Sequence, residues 1–577
     1  MIWSRCSLPT STTTLTAMSD TRKGFGVSRG VAVGPVARMA APAVVTPGSD
    51  HSGDGTPAER SAAAAAALAS VADMLDERAC GAGSDSADVL AALAMMVRDP
   101  TLLSAVDSAV GSGASAAVAI TTAFGSFRAM LEAAGPYFAE RVSDLDDLRD
   151  RAVAKVLGLP MPEIPDLDHP FVLVAHDLAP ADTAVLDPAK VLAIVTERGG
   201  PSSHTAILAK SLGIPAVVCV GDGITVADED VVLVDGALGT VQISPSDDEI
   251  ERALARYRSE VEEARRASGP GRTADGTPVK LMVNIGASRD LETAAAADSE
   301  GVGLFRTEFL FLERATAPTQ AEQIAVYTEV FDEFAGRRVV VRTLDAGADK
   351  PLEFVRHGQE PNPALGVRGL RTSRFNPCLL GDQLDAIAAA ASKSSADVWV
   401  MAPMVSVAAE IREFADKARA AGLAVAGAMI EVPAAALRAS TILEHGDFVS
   451  IGTNDLAQYT FAADRMLGAV GDLLDPWHPA LLELIRITAS AGQAAGKPVA
   501  VCGEAASDPE LAPVLVGLGV RSLSMAPSAI PAVRTVLLRY PIDALEDAAA
   551  LALGAEDGAS ARSAALSRLD RDRAPIA

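Results

Sequence analysis

The chain has 577 residues, too many for one hydrophobic core and enough for a barrel plus two smaller units. Its formal net charge is -26, from 75 acidic and 49 basic residues, so its surface repels nucleic acid and anionic lipid, and an anionic substrate needs a local cluster of Arg or Lys. Aromatics make up only 4%, which does not suit a stacking surface for nucleic acid, and the five scattered cysteines (Cys6, Cys80, Cys219, Cys378, Cys502) form no CxxC pair, which argues against a zinc site and for a reducing, cytoplasmic setting.

Residues 1–23 are rich in Ser and Thr, lack the apolar segment of a secretory signal, and read as a disordered N-terminal extension. GVSRGVAVGPVARM (26–39) alternates small and apolar residues and predicts strand–turn–strand. Ala-rich stretches of helical period, such as AERSAAAAAALASVADMLDERA and SADVLAALAMMVRD, predict a helical bundle over 46–157. Two readings of it stand open: a plain structural domain, which the local sequence favours, or a docking surface with Met95, Met96 and Val97 as apolar contacts. FVLVA, VLAIVT, AVVCV, VVLVD and TVQIS then predict strands, with AILAKSLG as a helix between them. An α/β domain over 24–45 and 158–246, interrupted by the bundle, accounts for this order, and the charged segment 247–271 predicts a linker helix. No run of about 18 apolar residues marks a membrane span.

From residue 272 the pattern becomes regular. Eight apolar runs follow: LMVNIG, GVGLFRTEF, VVVRTLD, VWVMAPM, AVAGAMIEV, FVSIGTND, VAVCGE and SLSMAP. Buried parallel strands read as continuous apolar runs, and eight β–α units predict a TIM-type (β/α)8 barrel over 272–545, followed by a helical or loose C-terminal tail over 546–577. The runs end in Arg306, Arg342, Glu431, Asn454 with Asp455, and Cys502 with Glu504. Chemistry in such barrels sits at the C-terminal strand ends, so these side chains should meet at one mouth. A structural salt bridge explains any one of them and explains the set poorly.

Glu431 and Asp455 suit a hard divalent cation such as Mg²⁺, and Arg306, Arg342 and Arg465, joined by Arg368, offer forked donors to phosphate and carboxylate. A metal with several arginines points to a small phosphorylated acid. Cys502 reads either as a small buried hydrophobe or as a proton donor or acceptor beside that pocket. His204, in GGPSSHTAILAKSLGIP, falls at or just before a helix start, where the imidazole tends to be neutral and the amides suit a phosphoryl group. A capping-loop histidine without chemistry is the alternative, and the local sequence does not decide between them.

GGPSSHTAI, GVGLFRTEFLF, VVVRTLDAGADKP, NPALGVRGLR, IEVPAAA, SIGTNDLAQYTFAADR and CGE, in order, resemble enzyme I of the bacterial phosphoenolpyruvate:sugar phosphotransferase system. The resemblance runs from about residue 24 to about 540 and implies a phosphorylated histidine at His204. It implies phosphate contacts from Arg306, Arg342 and Arg465, and a phosphoenolpyruvate contact from Asn454. It further implies Mg²⁺ on Glu431 and Asp455, enolate protonation by Cys502, docking of the phosphocarrier HPr on the helical insertion, and a barrel-mediated homodimer. The chain departs from the family at Ser202, where many relatives have Thr, at Ala505 and Ser507, and in the docking domain at Leu93 (often His) and Asp146 (often Arg). Pyruvate phosphate dikinases and phosphoenolpyruvate synthases share the His loop and the barrel but need a nucleotide-binding domain, for which no Gly-rich loop with Lys appears. A non-catalytic scaffold would not need the full set of site residues, and a barrel lyase would not need the His domain.

Overall fold

The structure is a computed structural model that describes residues 20–40, 45, 50–81, 84–134, 142–179, 182, 186–199, 204–221, 226–287, 290–312, 314–347, 352, 354–355, 360–465 and 468–571. The chain forms two compact bodies, Met1–Tyr257 and Arg258–Ala577.

In the first body, β1 (Asp20–Lys23), β2 (Phe25–Ser28), β3 (Val31–Arg38), β4 (Phe171–Ala175), β5 (Val191–Thr196), β6 (Ala216–Val218), β7 (Val231–Asp235) and β8 (Thr240–Ile243) share one sheet, in the order β1-β8-β7-β3-β4-β5-β6-β2. The strands β3 to β6 are parallel, and the others join antiparallel. Apolar residues are buried on both faces, with Leu173 and Ile194 on one side and Val172 and Val195 on the other. That explains why these strands read as unbroken apolar runs. The polar segment Asp20–Lys23, expected within an unstructured extension, instead pairs with β8 as an exposed edge strand. Its residues carry no apolar signal because an edge strand buries little.

The insertion between β3 and β4 is helical: Pro57–Gly81, Ser84–Val97, Pro100–Gly111, Ala116–Ala134 and Val142–Leu157 pack around Leu68, Leu90, Val106, Ile120 and Leu148. By length and mean hydropathy (1.5), Val89–Gly111 could cross a membrane. Here it is two helices, broken at Arg98-Asp99-Pro100, with Asp99 capping the second through the amides of Thr101 and Leu102. Met95 is exposed, but Val97 lies in the bundle core, so it is not the surface contact anticipated for it. Leu93 is buried in the same core, and Asp146 pairs with Arg128 and Arg149.

In the second body eight parallel strands close a barrel: β9 (Lys280–Ile285), β10 (Gly301–Arg306), β11 (Arg338–Arg342), β12 (Asp397–Ala402), β13 (Ala426–Ile430), β14 (Val449–Ile451), β15 (Val499–Val501) and β16 (Ser522–Met525). Each of the eight apolar runs supplies one strand. The period of two sends Val339, Val341, Ala428 and Ile430 to the core between strands and helices. Leu304, Val340, Met401, Met429 and Cys502 form a second cluster inside the barrel. The tail, expected to be helical or loose, is helical. Ile542–Leu553 and Gly558–Arg571 are helices, and Ala548, Ala552, Ala561, Ala565 and Leu569 are buried against the barrel core.

Candidate active site at the barrel mouth

Alternation decides which side chains enter the mouth. Phe305 and Val341 face the outer core, so Arg306 and Arg342, the next residues, turn inward, and they are register partners across β10 and β11. Glu431, one residue past outward-facing Ile430, does the same after β13. Arg306 stays exposed, while Arg342 is buried. Arg342 donates from Nη2 to Glu308 Oε1 at 2.8 Å and lies 3.1 Å from Asp345 Oδ2 through Nη1. Burial works against its charge, but Glu308 and Asp345 more than offset this and hold its pKa above the ordinary value. Arg368, also buried, donates to Asp345 Oδ2 at 3.4 Å and to the Tyr459 hydroxyl at 3.3 Å, and its Nη2 lies 3.2 Å from Asp455 Oδ1. Arg465 Nη1 is 3.8 Å from Asp455 Oδ2.

The run FVSIGTND was expected to end its strand in Asn454 and Asp455. The strand stops at Ile451, and both residues lie in the first turn of the helix Thr453–Phe461. Asn454 Oδ1 accepts from the Glu504 amide at 3.2 Å, which ties the β14 and β15 loops together. Gly503 permits this approach, since a Cβ there would collide with Thr453 Oγ1. Cys502, directly after β15, is buried and its thiol points to the Ile451 carbonyl at 3.6 Å. Burial pushes the Cys502 thiol up, only partly opposed by Ser450 and Arg342, so it keeps its proton at neutral pH.

The carboxylates are the part that fits a cation. Glu431 Oε1 accepts from the Met404 amide at 2.5 Å, and Met404 holds a left-handed backbone (φ 55°) to supply that donor. Burial, then Asp345 and Asp455, push the Glu431 carboxyl up to about 8, against the pull of Arg342 and Arg368. Asp455 Oδ1 is buried and accepts no well-aligned hydrogen bond, its contact with Arg368 being an ion pair. Two buried carboxyl groups that raise each other's proton affinity are a donor pair that a divalent cation would suit, although Arg368 already stands 3.2 Å from Asp455 Oδ1.

The structure thus brings Arg342, Arg465, Glu431, Asn454, Asp455 and Cys502 to the C-terminal end of one barrel, and Arg306 lies at the adjoining strand end. His204 belongs to the other body, as the first residue of the helix His204–Leu212. The loop at 200–203 lies outside the described residues. Thr205, next in the chain, is buried and donates to Asp177 Oδ1 at 3.2 Å, which fixes the helix start against the segment after β4. Sequence reading missed Glu308, Asp345 and Tyr459. The first two lie within the quoted stretches RTEF and RTLD, two or three residues past an arginine, and that spacing was the available signal. Tyr459 is one helical turn past Asp455 and gave none.

Three family models match in succession: the N-terminal domain of PEP-utilising enzymes over residues 23–141, their mobile domain over 167–239 and their PEP-binding domain over 260–541. The last spans the barrel and its mouth. The fold and the site therefore define a PEP-utilising enzyme. A phosphoenolpyruvate-protein phosphotransferase of Streptomyces coelicolor is 50% identical over 95% of this chain and 99% of its own. One from Haloferax volcanii is 40% identical over 79% and 82% of the two chains, and one from Listeria monocytogenes 35% identical over 90% and 94%. The chain belongs to the phosphoenolpyruvate–protein phosphotransferase family, and it is a phosphoenolpyruvate-dependent phosphotransferase.

Proposed function

We propose that the chain carries the phosphoryl group of phosphoenolpyruvate on His204 and delivers it to the histidine phosphocarrier HPr, the first step of a sugar-uptake phosphorelay, with release of pyruvate. The observation that carries the reading is the mouth itself, where Arg306, Arg342, Arg368 and Arg465 stand with Glu308, Asp345, Glu431 and Asp455. Forked guanidinium groups match phosphate and carboxylate oxygens, and phosphoryl transfer needs mainly position and charge neutralisation.

In this mechanism Arg306, Arg342 and Arg465 bind and orient the phosphate, and Asn454 holds the substrate from the β14 loop. The bond from phosphorus to the enol oxygen breaks as a bond to a ring nitrogen of His204 forms. The departing enolate takes a proton at carbon from the Cys502 thiol, which burial keeps protonated, and solvent restores that proton. Glu431 and Asp455 would hold Mg²⁺, which supplies charge neutralisation for the phosphate when bound. The division of labour follows the chain: a phosphohistidine domain over 24–45 and 158–246, a docking domain over 46–157, a linker helix to 271, and a barrel that binds substrate and pairs two copies into a homodimer in the cytoplasm.

Labelled phosphoenolpyruvate and Mg²⁺ should load the chain, and adding HPr should move the label to HPr, both steps failing to start when the metal is chelated. A loaded chain that keeps its label in excess HPr would overturn the delivery step. Loading at full rate after chelation would overturn the metal assignment.

A further inference from the structure

A fully buried glutamine lies outside the mouth and touches both arginine-bearing loops. Gln383 sits on the helix Pro377–Ala391, 1% exposed, among Leu380, Leu384 and Ile387. An apolar helix face does not normally carry an amide without a use for it, since an unpaired one is destabilising. Here the amide is fully engaged. Its Nε2 donates to Thr307 Oγ1 at 3.0 Å and to the Tyr327 hydroxyl at 3.1 Å, and its Oε1 accepts from the Leu344 amide at 3.0 Å.

Those partners are adjacent to the site. Thr307 follows Arg306, and its hydroxyl donates to the Arg342 carbonyl at 3.0 Å. Leu344 lies two residues past Arg342 and precedes Asp345, whose amide is held by Glu308 at 2.9 Å. One side chain therefore joins the end of β10 to the end of β11, behind the two arginines that are register partners at the mouth. Only a primary amide offers two donors and an acceptor at one tip, so no other buried side chain of that length makes this junction.

We infer that Gln383 is a positioning residue for phosphoenolpyruvate: it fixes the separation of Arg306 and Arg342, without touching the substrate. The inference rests on the assignment of those arginines to the phosphate. Displacing a binding group by about 1 Å can cost on the order of 10²-fold in rate.

The test compares three variants of the full-length chain in phosphoenolpyruvate-dependent loading, each corrected for its folded fraction. Gln383→Met keeps the volume and removes the junction, and should lower kcat/KM for phosphoenolpyruvate by about 10–100-fold, chiefly through a higher KM. Tyr327→Phe removes one hydrogen bond from the same cluster but leaves Gln383 on both loops, and should stay within about threefold of the parent even if its Tm falls as far. If Gln383→Met does not fold, Thr307→Val cuts the same junction from the other side and is judged by the same rule. A merely structural glutamine would lower Tm in Gln383→Met and Tyr327→Phe while leaving KM unchanged in both, and that result overturns the inference. Equal losses of kcat/KM in the two also overturn it. Arg342→Ala separates the premises: if that variant loads normally, the phosphate assignment itself has failed, whereas loss there with a normal Gln383→Met refutes the positioning role alone.

Discussion

Both bodies of the molecule bury arginine, and they do so to different ends. In the first, Arg151 on the helix Val142–Leu157 is fully buried between Asp147 at 2.8 Å and Asp182 at 2.7 Å, and Arg78 reaches the same Asp182 at 3.5 Å. Asp182 belongs to the segment after β4, so the cluster rivets the helical insertion to the α/β sheet. In the barrel, Arg342 and Arg368 are buried too, yet they lie beside exposed Arg306 and half-buried Arg465. The first cluster lies inside the body, with Arg151 Nη1 buried and without a hydrogen-bond partner, while the second adjoins the exposed Arg306 at the mouth. A buried ion pair alone does not mark a site. One that is held in place from behind and adjoins an exposed guanidinium at a barrel mouth does.

That contrast can be broken by substitution. Arg342→Ala should have the largest effect: kcat/KM for phosphoenolpyruvate should fall by about 10²–10³-fold, as for loss of one charge-stabilising donor. It should also destabilise the barrel, since Glu308 and Asp345 lose a buried partner, at about 3–5 kcal/mol. Steady-state kinetics and urea unfolding read the two separately. Arg151→Met should cost a similar about 3–5 kcal/mol in the first body, because it strands Asp147 and leaves Asp182 the longer contact with Arg78, but loading per folded molecule should stay within about threefold. A large kinetic loss there would mean that the rivet belongs to the mechanism. The smallest effect is expected at Asp99→Ala, which removes the cap of Pro100–Gly111 at about 1 kcal/mol and should leave KM for phosphoenolpyruvate unchanged. Thermal unfolding followed by circular dichroism would show it.

The barrel was legible in the sequence because a strand buried on both faces has no reason to alternate, and its end is marked where the first polar or reactive side chain appears. Arg306, Arg342, Glu431 and Cys502 were found by that rule. It placed Asn454 and Asp455 at a strand end when they begin a helix, because GTND follows the strand directly and carries no apolar break between them. Glu308 and Asp345 were passed over since their work is to hold Arg342, a relation between loops that a linear pattern does not express. The edge strand Asp20–Lys23, and the packing of the tail helices on the barrel core, escaped for a related reason: their place is set by what they pair with.

In the proposed relay His204 is the atom-level carrier, and its substrate is held by a different body. The most direct measurement is peptide mapping of the chain after brief exposure to labelled phosphoenolpyruvate and Mg²⁺, alongside His204→Ala. Acid-labile phosphate on the peptide bearing His204, and none on the variant, is the predicted result. Label at the parent rate in His204→Ala, or label confined to another peptide, would contradict it.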